Sequence, residues 1–388
     1  MHTKQNTLYF KQLDGLRCIA VLSVLICHWI TIRAVEVIPL GSMGVNLFFV
    51  LSGFLITRIL LLNKDKNELS KTPHFKSIKQ FYIRRSLRIF PIYFLTIFIL
   101  FILNFEPARN IMGWLLTYTL NIKFSLAGVW ESNELGYFVH LWSLCVEEQF
   151  YIIFPFIIFF IPKQKIKTTI YLLIAIGVLS RFLLWQFGGP KNSIYALSFC
   201  CTDAFGIGSL LAYYLLYEID VLRKILSKNY LFVFSIVVFI ICIVYSRNFI
   251  PKYGECRTVL ERFLFCVCCF WIVGKAAINS YYGWFQKILE NKKAIYLGKI
   301  SYGIYIYHHF VEPLFMKFLE KIYHSATLKP YFDKVFYNTH LNPVRGLIEN
   351  AGSILLVIIL FSITLLIASL SWKYIEKPIN TIKEKYNY

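Results

Sequence analysis

Apolar runs of membrane-spanning length decide what this chain can fold into. About 20 apolar residues form a helix that crosses a bilayer, and only helices or closed barrels satisfy their backbone polar groups there. The 388-residue sequence contains several such runs, is 57% hydrophobic and has a mean hydropathy of +0.58. We therefore expect an all-α fold, a polytopic bundle of transmembrane helices that forms one domain over residues 1–388.

The hydropathy pattern predicts about ten spans joined by short loops. They are residues 14–34, 44–62, 81–104, 139–161, 168–187, 203–217, 229–246, 258–279, 294–316 and 348–374. One further apolar segment, 111–127, is short, and we interpret it as re-entrant or interfacial. Such a segment is tolerated at membrane depth only where it lines a protein cavity, so it is a candidate wall of a site.

The basic residues set the orientation of these spans. If 111–127 does not cross and the N-terminus is cytoplasmic, 24 of the 41 Lys and Arg lie in cytoplasmic segments and 12 lie outside. This asymmetry predicts that both termini are cytoplasmic. It also explains the net charge of +20 without nucleic acid, because the charges lie in loops between spans.

The cysteines do not indicate a disulfide framework, and the first span does not indicate a cleaved signal peptide. Most of the ten cysteines lie inside predicted spans, where they act as small apolar packing residues, and we expect no metal site. Cys256 is expected to be exposed outside. The first apolar run lacks a small-residue cleavage site, so we interpret it as a retained span and not a signal peptide.

The first span, Leu13–Trp29, carries three ionisable residues. Arg17 and His28 are eleven positions apart, which on a helix gives about 16 Å of rise and about 20° from eclipsed. Asp14 lies three positions before Arg17, on the same face. Charged groups inside a membrane are costly and often functional. The alternatives are that Asp14 caps the helix, Arg17 reaches the headgroups, and His28 is a hydrogen-bonded core residue.

The third span opens with FYIRRSLRIFPIYF, and two of its arginines share a helix face. Arg85 and Arg88 are spaced i, i+3, while Arg84 points elsewhere and fits an interfacial anchor. Guanidinium groups bind phosphate in a bidentate manner, so Arg85 and Arg88 are candidate phosphate ligands together with Arg17. Pro91 is expected to loosen the helix just beyond them.

Polar side chains in other spans complete the candidate site. A carboxylate as deep as Glu147 needs a partner, for which an arginine or histidine is expected, and Glu147 is the second candidate catalytic residue beside His28. In the second span, Gly44 and Gly53 are expected to allow close helix packing. The candidate structural or substrate-lining residues are Asp14, Ser52, His140, Trp142, Ser143, Tyr302, His308 and Glu376.

Six segments, in this order along the chain, resemble the membrane-bound acyltransferase family 3. They are LDGLR followed by His28, GVNLFFVLSGFLIT, the Arg85–Arg88 pair, HLWSLCVEEQFY, ISYGIYIYH and YIEKP. One departure is Asn46, where the family frequently has Asp. The resemblance covers nearly the whole chain and does not identify the substrate.

The resemblance implies transfer of an acyl group, usually acetyl from acetyl-CoA as co-substrate with no bound cofactor, to a hydroxyl of a cell-surface glycan or lipid-linked saccharide. It implies that His28 is central to the chemistry, as general base or as acylated nucleophile, and that Arg17, Arg85 and Arg88 serve the acyl-CoA donor. A bacterial cytoplasmic membrane is expected. Some members carry a fused extracytoplasmic domain; none is expected here, and a separate partner protein could supply its step.

A glycan transporter without acylation activity is the competing interpretation, with buried charges lining a transport path. A gated ion channel is disfavoured because the charges are mixed and form no rings of one type. Mass spectrometry of surface glycans with and without the gene separates enzyme from transporter.

The charge distribution generates a prediction of topology. Residues 64–79 and the C-terminus should be cytoplasmic, and residues 317–347 should lie outside. Single cysteines introduced into a cysteine-depleted variant, labelled with a membrane-impermeant maleimide, report the side. Labelling of residues 163–167 from outside would contradict this topology and make 111–127 a true span.

Overall fold

The computed structural model describes residues 9–30, 38–127, 135–248, 254–323, 352–383 and 385–386. Within these ranges the regular secondary structure is helical and no strand occurs, as predicted. The side chain of Cys256 and most of the predicted outer segment 317–347 lie outside the described residues.

The helices of the first half lie close to the predicted positions. They are α1 (Lys11–Trp29), α2 (Leu40–Ser70), α3 (His74–Ile102), α4 (Met112–Leu116), α5 (Leu120–Leu126), α6 (Trp142–Phe160) and α7 (Lys163–Gln186). A 3₁₀ turn, Gly136–Leu141, leads into α6.

The second half continues with further helices in the described ranges. They are α8 (Lys191–Ala196), α9 (Thr202–Tyr217), α10 (Ile219–Ser227), α11 (Asn229–Asn248), α12 (Gly254–Ala277), α13 (Gly283–Leu289), α14 (Lys292–Lys299), α15 (Ser301–Tyr323), α16 (Gly352–Ser371) and α17 (Lys377–Lys383). A 3₁₀ turn, Ser198–Cys201, precedes α9, and a π-helical turn, Trp372–Glu376, joins α16 to α17.

Seven helical segments of the described chain are long and apolar enough to cross a membrane, which makes this an integral membrane protein. An eighth results if α10 and α11, which meet at an angle of 65°, form one broken span. Helices also occupy the remaining predicted positions, at α12 and α15, but their described parts do not meet the same criteria. The number of ten spans therefore stays a prediction.

The segment 111–127 folds as two short helices, and neither is long enough to cross a bilayer. α4 has 5 residues and α5 has 7, against the roughly 20 that a span needs. Tyr93 on α3 donates to the Leu115 carbonyl at 2.9 Å, and Gln149 on α6 donates to the Tyr118 carbonyl at 2.8 Å. The segment is thus held against the bundle by its backbone groups, while its membrane depth stays a prediction.

Glycines bring the central helices into close contact, as the sequence predicted. A Cβ at Gly53 of α2 would lie 2.2 Å from the Phe205 carbonyl oxygen of α9, and one at Gly208 would lie 2.0 Å from the Val50 oxygen. A Cβ at Gly44 would lie 2.5 Å from the Ala20 carbonyl oxygen of α1. Helix backbones can approach this closely only at residues without a side chain.

Buried arginines that the sequence analysis did not single out hold α7, α9 and α12 together. Arg181 and Asp203 are fully buried and form two parallel hydrogen bonds of 2.8 and 2.6 Å. Arg262 of α12 donates to the Tyr195 carbonyl at 2.8 Å and to Cys201 Sγ at 2.9 Å. Because buried charges are stable only when paired and hydrogen-bonded, this network fixes how the three helices meet.

The last helix does not stop at the motif that contains Glu376 and Pro378. It passes through the π-helical turn and continues to Lys383. Glu376 is buried and accepts a hydrogen bond from Ser371 Oγ at 3.2 Å. The helix continues through the motif because Pro378 lies in the first turn of the following helix segment, where proline is tolerated.

The glycine contacts predict a difference between two identical substitutions. Gly53→Ala should destabilise the protein by about 1–3 kcal/mol, the usual cost of overpacking a tight contact. A Cβ added at Gly113 of α4 would have no neighbouring atom within 4 Å, so Gly113→Ala is the matched control. Thermal unfolding in detergent measures both. Equal melting temperatures for Gly53→Ala and the parent would contradict the packing interpretation.

Candidate functional site

The ionisable residues at the start of α1 point inward. Arg17 donates to Asp14 Oδ1 at 2.5 Å, and Tyr9 donates to Asp14 Oδ2 at 2.7 Å. Asp14 makes no capping hydrogen bond, and the Arg17 side chain is only 18% exposed. The alternatives of a helix cap and of an arginine that reaches outward are therefore wrong.

Arg17, Arg85 and Arg88 line the same cavity, although they come from two helices. The empty volume of this cavity is about 810 Å³, with its open mouth included. Arg85 also stacks on the ring of Tyr151, whose centre lies 4.5 Å from the guanidinium carbon. The convergence of these cations is as expected, and their role remains to be tested. The polar lining of the cavity is Arg17, Ser52, Arg85, Arg88, Ser143, Glu147, Glu148, Tyr151, Ser301, Tyr302 and Tyr305.

Two further cavities open beside the same arginines and extend the basic region. Arg17, Arg84 and Arg88 line both of them, together with Lys383 of α17. The larger one also contains Lys299 and a few acidic and neutral side chains. These are Tyr9, Asp14, Tyr302, Trp372, Glu376 and Asn380. This end of the bundle therefore presents mostly positive charge.

Arg84 has a different role from that expected of a headgroup anchor. Its Nη1 donates to the Lys383 and Tyr386 carbonyls, both at 3.0 Å. The guanidinium thus ties the C-terminal segment to α3 at the edge of the basic region.

Glu147 has a hydroxyl partner in place of the expected arginine or histidine. Ser52 donates to Glu147 Oε1 at 2.7 Å, and Tyr151 in turn donates to Ser52 Oγ at 3.1 Å. The carboxylate shares the cavity with Arg85 and Arg88, so their charges act on it across the cavity. Ser52, a candidate structural or substrate-lining residue, is therefore part of the polar lining of the cavity.

Glu148 is the neighbouring carboxylate and is 7% exposed. Its Oε1 lies buried in the cavity wall without a hydrogen-bond partner among the described residues. A buried acceptor without a partner is costly, so a donor group supplied by a ligand would stabilise it.

Four imidazoles gather beyond the far end of this cavity, from the end of α1, the 3₁₀ turn before α6, and α15. The ring centres of His308 and His309 each lie 5.0 Å from that of His28. His140 lies 5.1 Å from His308 and 5.0 Å from His309. We refer to His28, His140, His308 and His309 as the histidine cluster.

His28 lies in the last turn of α1 and is exposed, as are Ile26 and Cys27. The helix ends one residue later, at Trp29, five residues before the predicted end of the first span. His28 does not line the arginine cavity. Tyr305 and Ser143 close the end of that cavity with a 2.5 Å hydrogen bond between their hydroxyls.

The other predicted residues lie around this closure. His140 and His308 are buried in the cluster. Trp142 packs against Phe49, with ring centres 6.1 Å apart, and does not line the cavity. Tyr302 lines two cavities and donates to the Ile89 carbonyl at 3.0 Å.

Comparison with known proteins decides the class of this site. Residues 10–373 match the family described as "Acyltransferase domain", the acyltransferase 3 family. The chain belongs to that family. This membership confirms the prediction of an acyltransferase and does not favour the transporter alternative.

The relatives that this chain matches are longer than the chain itself. It is 29% identical to the peptidoglycan O-acetyltransferase OatA of Listeria monocytogenes over 97% of its own length and 57% of the relative's. It is 27% identical to YrhL of Bacillus subtilis, named as a candidate peptidoglycan O-acetyltransferase, over 98% and 56% of the two chains. A candidate O-acetyltransferase of Staphylococcus aureus is 24% identical over 95% and 57%. The chain thus spans little more than half the length of these relatives. No solved structure matches it.

Several residues of this acyltransferase site were missed by the sequence analysis. Tyr305 and Glu148 lie in the segments ISYGIYIYH and HLWSLCVEEQFY but were not selected, and neither was His309, which follows the first of these segments. Lys299, within the predicted span 294–316, and Lys383, after the last span, were also not selected, since only the fold brings them to the basic cavity. The signal for Arg181 and Asp203 was present, because ionisable residues within predicted spans indicate buried networks.

Proposed function

We propose that this protein is a membrane O-acetyltransferase that takes an acetyl group from acetyl-CoA on the cytoplasmic side. The acceptor is a hydroxyl of a cell-surface glycan, with peptidoglycan suggested by the names of the relatives. The observation that carries the proposal is the alignment of three parts: a basic entrance, a polar cavity, and a histidine cluster directly behind the cavity's closed end.

The basic entrance suits the phosphate groups of CoA. Six cations line the three adjacent cavities, against the four carboxyl groups of Asp14, Glu147, Glu148 and Glu376. The cations are Arg17, Arg84, Arg85, Arg88, Lys299 and Lys383. Guanidinium groups hold phosphate oxygens in bidentate pairs, and a cleft lined by one sign of charge concentrates a ligand of the opposite sign. The excess of positive charge therefore favours a polyanionic donor.

The inner cavity suits the pantetheine arm that carries the thioester. Phe48, Phe49 and Leu55 provide apolar walls, while Ser52 and Glu148 provide acceptors. The arm contains amide N–H groups, and one of them could donate to the Glu148 oxygen that lacks a partner. Ligand pockets commonly combine apolar walls with a few polar groups that fix orientation.

His28 is the proposed catalytic base. One of its ring nitrogens takes the proton of the acceptor hydroxyl while the oxygen attacks the thioester carbonyl carbon. A new C–O bond forms, the C–S bond breaks, and the departing CoA thiolate receives a proton. In the covalent alternative the imidazole itself accepts the acetyl group first and CoA leaves before the glycan attacks. Glu147 remains the proposed second catalytic residue, acting from the cavity side.

The acceptor is proposed to arrive at the outer end, where Tyr137 lies beside the histidine cluster. Its ring centre is 5.7 Å from that of His309, and it lines an open cleft with Glu106, Asn110 and Lys123. An exposed aromatic ring with amide, carboxylate and ammonium groups around it is suited to a sugar, which presents an apolar face and many hydroxyls.

Mass spectrometry of surface glycans from strains with and without the gene tests the function. Loss of acetyl groups from one glycan in the deletion strain, restored by the gene, is the expected result and names the acceptor. Unchanged acetylation of every surface glycan, with the protein present in the membrane of the parent strain, would overturn the proposal.

The donor site predicts a loss of CoA affinity on removing its arginines. Arg85→Ala and Arg88→Ala should each weaken acetyl-CoA binding by about 1.5–3 kcal/mol, the scale of a hydrogen bond to a charged group. Lys at either position should restore little of the acetyl-CoA affinity, because an ammonium group lacks the planar pair of N–H donors of a guanidinium. Arg109→Ala is the matched control, since Arg109 is exposed, stacks on Phe101 and lines none of the three cavities that contain Arg17. Calorimetric titration measures each affinity, and an unchanged value in the double variant would refute the donor role.

The catalytic role predicts a large loss of activity at His28. His28→Asn and His28→Gln keep polarity but remove the basic nitrogen, so acetylation should fall at least about 10²-fold. His74→Asn is the matched control, because His74 packs on Phe159 far from the cluster along the chain. Activity is compared at equal amounts of membrane-inserted protein. Near-normal acetylation in either His28 variant would show that a hydrogen bond is all that this residue supplies.

A further inference from the structure

The protonation of His308 is fixed by its backbone partner. Its Nδ1 lies 2.6 Å from the carbonyl oxygen of Tyr305. A carbonyl oxygen can only accept a hydrogen bond, so Nδ1 must carry a proton. His308 is 0% exposed, and this contact therefore cannot be exchanged for water.

His308 is also neutral. Its ring lies among those of His28, His140 and His309, within 5.0–5.7 Å between centres. No carboxylate contacts it among the described side chains. A buried charge without a counterion is strongly disfavoured. With the proton on Nδ1, the Nε2 atom of the neutral ring is therefore an acceptor.

That acceptor faces His28. His308 Nε2 lies 3.0 Å from His28 Nδ1, and two bare nitrogens at this distance would repel each other. His28 Nδ1 must then be the donor in this contact. We propose that His308 is a positioning residue that holds His28 in the Nδ1–H tautomer and leaves its Nε2 as the nitrogen that reacts. The inference deepens the proposed function and rests on it for the chemical role of Nε2.

The hydrogen bond that the described residues give His28 is the one to His308, while the hydrogen bonds of His140 and His309 go to backbone carbonyl oxygens. His140 Nδ1 lies 2.9 Å from the Tyr137 oxygen and its Nε2 lies 3.2 Å from the Ile306 oxygen, and a neutral ring donates to one of the two. His309 places its Nδ1 2.8 Å from the same Tyr137 oxygen. The tautomer of a histidine is set by the hydrogen bond that its second nitrogen makes, and here that bond comes from His308.

The step that follows is a proton transfer with a defined start and end. His28 Nε2 takes the proton of the acceptor hydroxyl, and Nδ1 keeps its own proton and its bond to His308 throughout. The imidazolium that forms returns the Nε2 proton to the departing thiolate. The Nε2–H tautomer has no lone pair at this atom, so a His28 that adopted it could not act as base there.

Two substitutions at His308 separate tautomer control from packing. An Asn side chain can reproduce the Nδ1 donor to the Tyr305 carbonyl but does not reach His28. A Gln side chain can instead place its amide oxygen near the Nε2 position and accept from His28 Nδ1–H. We expect His308→Asn to lower kcat by roughly 10–100-fold at an unchanged KM for acetyl-CoA, the scale seen when the partner that orients a reacting group is removed. His308→Gln should keep most of the parent kcat.

Nitrogen-15 NMR of histidine-labelled protein in detergent reads the tautomer without reference to activity. The signals of His28 are assigned by their loss in His28→Asn. The expected result is the Nδ1–H form of His28 in the parent and in His308→Gln, and a shift towards Nε2–H in His308→Asn. A parent His28 in the Nε2–H form, or an Asn variant at least as active as the Gln variant, would overturn the inference. If the spectra are as expected but His28 variants still acetylate glycans, the proposed function fails and the tautomer assignment stands.

Discussion

Charge inside an apolar helix bundle is the constraint on which this structure depends. A guanidinium or carboxylate away from water must be paired, hydrogen-bonded or turned towards a polar cavity. Arg181 and Asp203 are paired with each other, and their hydrogen bonds connect two helices. Arg85 and Arg88 are instead turned towards the polar cavity, so these charges mark where the bundle opens.

The sequence predicted the helical class, the family and the convergence of Arg17, Arg85 and Arg88, because each has a local signal. Hydropathy marks spans, and i, i+3 spacing marks a shared helix face. It could not predict that Ser52 is the partner of Glu147, since 95 positions separate them and only packing brings them together. The end of the first span was predicted too late, at residue 34, because apolar residues continue past Trp29, where α1 ends.

The close backbone contacts of α2 also place one of its polar side chains in the cavity. Gly44 and Gly53 let α2 approach α1 and α9, and Ser52, next to Gly53, consequently reaches the cavity. A larger residue at these glycines would move the serine away from Glu147 as well as loosen the bundle. The stretch that looks like a packing motif in the sequence therefore also sets the polar lining of the cavity.

Residues of two helices, α1 and α15, extend from the basic entrance to the histidine cluster. On α1, Arg17 and His28 are about 16 Å apart along the axis. On α15, Tyr302, Tyr305 and His308 follow one another at i, i+3 spacing and so form one stripe. Tyr302 lines the entrance, Tyr305 closes the cavity, and His308 contacts His28. The α15 stripe is thus a partition between the cavity proposed for the donor and the histidine cluster, where the acceptor is proposed to react. The partition is made by the Tyr305 and Ser143 hydroxyls, because both line the cavity, bond to each other and donate to the His140 carbonyl oxygen within the histidine cluster.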